Sequence, residues 1–194
     1  MKTIHERLDA ILPKIKDPSF RQNRGLGNEI GYHIFDYEPQ YEMLVRDHIA
    51  YLKDQINNDP SSSQRITEFD LYEMVLEILD EKGYLEKNFV MEEKKGSQYV
   101  LNATRKALRL TLNNDQIIRY MAERIEPHDI VFITGIGKVF PIIRSHVVLN
   151  NLHHAVGQVP VVLFFPGRYD GQELVLFNEI KDDNYYRAFQ LVSD

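Results

Sequence analysis

Hydrophobic positions in this chain follow two periods. Ile4, Leu8, Ile11, Leu12 and Ile15 recur three or four apart, which predicts a short amphipathic helix over residues 3–15. Pro18, Gly25, Gly27 and Gly31 then break any period, so "KDPSFRQNRGLGNEIG" reads as a loop, long for a compact domain. "GYHIFDY", residues 31–37, reads as a strand ended by Glu38 and Pro39. Tyr41, Leu44, Val45, His48, Ile49, Leu52 and Ile56 share one face of a helix reaching about Asn57. "NNDPSSSQ" is a turn-forming tip and "RITEFD" a second strand. Asp70 with Glu73 forms a capping box for a helix that buries Leu71, Val75, Leu76 and Leu79 and stops at Gly83.

Residues 84–98 are charged and weakly periodic, compatible with a helix or an exposed excursion. Val100, Leu101, Ala107, Leu108 and Leu110 predict another helix, and Asn113 with Gln116 caps a further one that Pro127 closes. "DIVFITGIG" and "VPVVLFFPG" contain unbroken apolar runs, which suit strands buried on both faces. A helix near Phe140 to His153, with Pro141 in its first turn, lies between them. That is strand–helix–strand, the unit of a parallel sheet. "ELVLFNEI" is a further strand candidate, and "DDNYYRAFQLV" reads as a closing helix or turn. The expected fold is an α/β three-layer sandwich, a mainly parallel sheet with helices on both faces. Its expected extent is one domain over residues 1–194, with an N-terminal helix and loop at 1–30 and a helical insertion at 84–126.

Composition narrows the function classes. At 194 residues and 43% hydrophobic content the chain can bury a real core. Its formal charge of −6 gives no electrostatic footprint for non-specific DNA binding, so direct DNA binding by this chain alone is not expected. With no cysteine, disulfides, zinc–thiolate sites and thiol catalysis are excluded. "MKTIHERLDAILPKIKDP" is too charged for a signal peptide, and the apolar runs are too short to span a bilayer. The expectation is a soluble, cytoplasmic protein.

Candidate chemistry is sparse. Gly135, Gly137 and Lys138 resemble the end of a phosphate-binding loop. However, Phe132 stands where the first glycine should be, and Val139 replaces the magnesium-binding hydroxyl. The two glycines are explained by a sharp strand-to-helix turn, with anion binding beside Lys138 as the alternative. Ser145 and His146 are sequence neighbours and diverge on a helix, a poor nucleophile–base pair. His153 and His154 diverge too, and suit a helix C-terminus better than a metal. Asp170, Glu179 and Lys181 have the order of a D…ExK nuclease, in which two carboxylates hold magnesium and lysine assists the attacking water. Asp170 in "YDGQ" is equally explained as a turn residue. Arg168, Tyr169, Asp183, Tyr185, Tyr186 and Arg187 form an Arg- and Tyr-rich group expected at the carboxyl edge of the sheet, where partners bind. Arg168 and Tyr169 are expected to be exposed there; the alternative is that the aromatics seal the sheet edge.

"IRSHxxLNNL", "FFPGxYDGQ" and "DDNYYRAF", with "GYHIFDYEPQYEMLVRDHI" upstream, carry a resemblance over nearly the whole chain to the BrxB family of BREX bacteriophage-exclusion systems. The resemblance implies a part in phage defence and no established reaction. BREX sets also contain a methyltransferase, an AAA+ ATPase and the PglZ protein. The expected function is therefore a non-catalytic adaptor without cofactor or metal, holding a larger subunit such as PglZ or the ATPase. A nuclease using Asp170, Glu179 and Lys181, and a degenerate nucleotide-binding module, are the alternatives.

Overall fold

The computed structural model describes residues 2–21, 31–110, 113–157, 159–181 and 188–193. Helices α1 (Ile4–Asp9) and α2 (Ile11–Lys16) replace the single predicted N-terminal helix, broken at Ala10. Thr3 and Glu6 cap α1 reciprocally. A short α3 (Pro18–Arg21) occupies the start of the predicted loop; residues 22–30 lie outside the described residues. Strand β1 (Tyr32–Tyr37) leads through a 3-10 turn at Pro39–Tyr41 into α4 (Glu42–Asn57). Then come β2 (Arg65–Asp70), α5 (Leu71–Glu81), α6 (Leu85–Lys95), α7 (Ser97–Leu108) and α8 (Gln116–Ala122).

Strand β3 (Asp129–Thr134) is followed by a single turn, α9 (Ile136–Val139), and by α10 (Ser145–Val156). Pro141 thus precedes the helix, after a cis Phe140–Pro141 bond, and does not sit in its first turn. Strand β4 (Val161–Tyr169) runs three residues past Pro166 and pairs antiparallel with β5 (Leu174–Leu176), which pairs with β6 (Ile180–Lys181). "ELVLFNEI" is therefore two short strands. Phe189–Gln190 is a strand, β7, beside β1, where the sequence predicts a helix or turn.

The main sheet has order β2-β3-β4-β1-β7, with every pairing along that path parallel. The order explains the two helical layers. From β1 the chain passes over two strand positions to reach β2, then returns one strand at a time. With right-handed crossovers, that reversal puts α4 on one face and the later helices on the other. Alternate residues of each central strand feed the two faces. Phe35, Phe132 and Phe164 join the cluster under α1, α2 and α4, while Ile34, Ile133, Leu163 and Phe165 join the cluster under α5, α8 and α10. This is the α/β sandwich expected from the unbroken apolar runs.

Two polar devices close the sheet. At the start of β3, Asp129 is fully buried and receives a forked pair from Arg65 at 2.8 and 3.0 Å. On the outer edge of β2, Asn57 both accepts from and donates to the Ile66 backbone, at 2.7 and 3.0 Å. Asn57 stands in for a neighbouring strand there.

Candidate functional site

The carboxyl ends of β2, β3 and β4 bring the glycine loop and the hairpin together. Gly135 ends β3 with φ 74°, and a Cβ there would collide with the Asp70 carboxylate that caps α5. Only glycine suits that position. A Cβ on Gly137 would meet the Phe177 ring at 2.9 Å, so the loop is covered by the β5–β6 turn. Lys138 points back into the protein: its Nζ lies 2.5 Å from Asp70 and 3.2 Å from Glu73. Burial works to lower its pKa, but the two carboxylates outweigh burial and leave it raised. The ammonium is thus paired with two carboxylates of the chain itself, half-buried Asp70 and exposed Glu73.

Around the end of β1, a groove of about 810 Å³ opens between α1 and the β4–β5 hairpin. Asp36 organises it. One carboxylate oxygen accepts from Arg7 at 2.8 Å and the other from the Tyr169 amide at 3.0 Å. Arg168 is exposed on the groove wall, as expected. Tyr169 is not: it is 4% exposed, belongs to the core, and its hydroxyl donates to the Ala188 carbonyl at 2.9 Å. The chain does not leave the sheet at Pro166-Gly167. It continues as β4 into a hairpin, so the in–out alternation carries Arg168 outward and Tyr169 inward. Asp183, Tyr185, Tyr186 and Arg187 lie outside the described residues.

The three residues of the nuclease candidate occupy different turns and strands. Asp170 sits in the β4–β5 turn, where its Oδ1 accepts from the amides of Gln172 and Glu173 at 2.9 and 2.8 Å. Glu179 sits in the β5–β6 turn, at the other end of β5. Lys181 pairs with Glu173 at 2.9 Å. Among the described residues, no three His, Cys, Asp or Glu side chains form a group able to hold a metal ion.

The sequence left residues 84–98 open between helix and excursion, and here the structure adds most. Helix α6 buries none of its residues. Its inner side is only half-buried, through Leu85, Asn88 and Met91. Phe89 is 55% and Val90 49% exposed. Tyr84 before α6 and Tyr99 in α7 are also exposed, each with a lysine over its ring, Lys87 at 5.6 Å and Lys95 at 4.4 Å. The signal available in sequence was Phe89-Val90 itself, an apolar pair inside a charged segment.

The molecule is therefore a mainly parallel α/β sandwich in which Asp170 and Glu179 lie in different turns and Lys138 is paired with Asp70 and Glu73. The family model for BREX protein BrxB matches residues 67–191. A BREX protein BrxB from Bacillus cereus (strain H3081.97) is 69% identical over 192 residues, covering 99% of each chain. A BREX protein BrxB from Escherichia coli O9:H4 (strain HS) is 33% identical over 190 residues, covering 97% of this chain and 91% of its own. The chain belongs to the BrxB family and is a component of BREX systems, which supports a part in phage defence. No solved structure matches it significantly. Among the described residues no helix is long and apolar enough to cross a membrane.

Proposed function

We propose that this protein is a non-catalytic adaptor of a BREX assembly that presents α6 and the start of α7 to a larger subunit, PglZ or the AAA+ ATPase. The observation that carries the reading is α6, which buries none of its residues yet exposes Phe89 and Val90. Aromatic side chains anchor interface cores, and a helix with little internal packing gains most from an external partner. Arg168 offers a second contact at the sheet edge. The spacing of Asp170 from Glu179 across β5, and the internal pairing of Lys138, support an adaptor over the nuclease and nucleotide alternatives.

The test is capture from cells expressing the complete defence operon. Phe89→Glu combined with Val90→Glu should abolish co-purification of the larger subunit and reduce phage protection. The isolated protein should keep its stability to within about 0.5 kcal/mol, the usual range for exposed positions. Undiminished capture by the folded double variant would refute the α6 interface.

A further inference from the structure

The C-terminal end of α7 and the N-terminal end of α10 face each other across a cleft of about 510 Å³. Arg105, Lys106 and Arg109 come from the α7 side and Arg144 from the α10 side. Leu110, Ile142 and Val147 complete the lining, which among the described residues includes no carboxylate. Four cations around one apolar hollow are unexpected in a chain of net charge −6.

Local structure accounts for only part of this. Arg105 and Lys106 lie in the last turn of α7, where positive charge offsets the helix dipole. Arg105 also donates to the carbonyls of Pro141 and Ile142, tying the loop before α10 to α7. Arg144 is the opposite case. It occupies the N-cap of α10 without a capping hydrogen bond, and that first turn holds no acidic residue. A cation there is repelled by the positive end of the dipole. Among the described residues, the side chains of Lys106, Arg109 and Arg144 make no hydrogen bond or ion pair, and all three are exposed.

We infer that this cleft is a docking site for an acidic segment of a partner protein, one in which carboxylates alternate with apolar side chains. Carboxylates complement the guanidinium forks and the ammonium, and interspersed apolar groups complement Leu110, Ile142 and Val147. Nucleic acid fits less well. Among the described residues no aromatic lines the cleft to stack a base, a duplex phosphate edge has nothing to place on the apolar lining, and the chain's net negative charge repels polyphosphate. The inference rests on the adaptor reading only for the origin of the segment.

The probe is a fluorescently labelled, capped peptide alternating glutamates with leucines, titrated onto the purified full chain. A random-sequence DNA duplex is titrated in parallel. The wild type should bind the peptide more tightly than the duplex, and added salt should weaken binding. Lys106→Ala with Arg144→Ala should lower peptide affinity about tenfold or more with Tm unchanged, whereas Phe89→Glu with Val90→Glu should leave it intact. Because no BREX partner is present, loss of the α6 interface in cells and loss of this site are separate results. Failure of the wild type to bind the peptide, equal binding by the alanine variant, or tighter binding of the duplex would each overturn the inference.

Discussion

Tyr169 and Arg168 are adjacent and face opposite environments. The tyrosine ring fills the core and its hydroxyl holds the Ala188 carbonyl, while the arginine stands on the groove wall. Tyr169→Ala should cost about 3–5 kcal/mol in urea denaturation, the range for emptying a large aromatic site. Tyr169→Phe should cost only about 1 kcal/mol, the net value of one hydrogen bond. Arg168→Ala should lie within about 0.5 kcal/mol of wild type. An equal loss for Arg168→Ala and Tyr169→Ala would contradict the alternation seen in β4. The sequence read both residues as surface because Pro166-Gly167 looks like a strand end. What Gly167 provides is a residue without a Cβ where one would collide with the Val175 carbonyl, so the strand continues into its hairpin.

Elements with strong local signals were legible before any coordinates. β1, α4, β2 and α5 fall within a residue or two of the bounds expected from period and punctuation. Their information is local: alternation, a cap at Asp70, a stop at Gly83. The misread elements draw on distant partners. β7 is two residues long and is a strand because β1 pairs with it. The cap of α8 is Asp115, not the predicted Asn113, since its Oδ1 reaches the Ile117 and Ile118 amides at 2.9 and 3.3 Å. The candidate site was less legible than the fold. The exposure of Phe89 and the meeting of Arg144 with α7 depend on tertiary placement, to which a single sequence gives no spacing rule. The turn after β3 offers an element-scale test. Gly135→Ala forces a side chain into φ 74° and against the Asp70 cap of α5, so it should destabilise by more than about 2 kcal/mol. A melting curve unchanged from wild type would show that the turn relaxes freely.

At the scale of the whole molecule, buried titratable groups set the response to acid. His33 packs against Phe20 with ring centroids 4.6 Å apart, and burial, with Lys14 adding in the same direction, takes its pKa from 6.5 to about 4. Between those values the unfolded chain binds a proton that the folded chain does not. Stability is therefore complete above about pH 6.5 and falls as pH drops towards 4, by about 3 kcal/mol at most. Asp129 acts lower. Burial alone would raise its carboxyl, but Arg65, the Glu126 amide and Thr67 hold it below 3.8, so its contribution is lost only as pH falls through that depressed value. Urea midpoints between pH 7 and 4 should decline for the wild type and flatten for His33→Gln. Parallel declines in both proteins would assign the acid sensitivity elsewhere.

Helix α6 has a consequence for how such a protein changes over time. β2 and β3 are neighbours in the sheet, and α5, α7 and α8 already carry the buried side chains of the crossover between them. α6 contributes no fully buried residue to that crossover. Its outward face can therefore be rewritten, residue by residue, with little penalty to folding. Under the proposed α6 interface, mutation can drift there in step with a changing partner while the β-sheet stays constant, which would put recognition and foldability on separate parts of one chain.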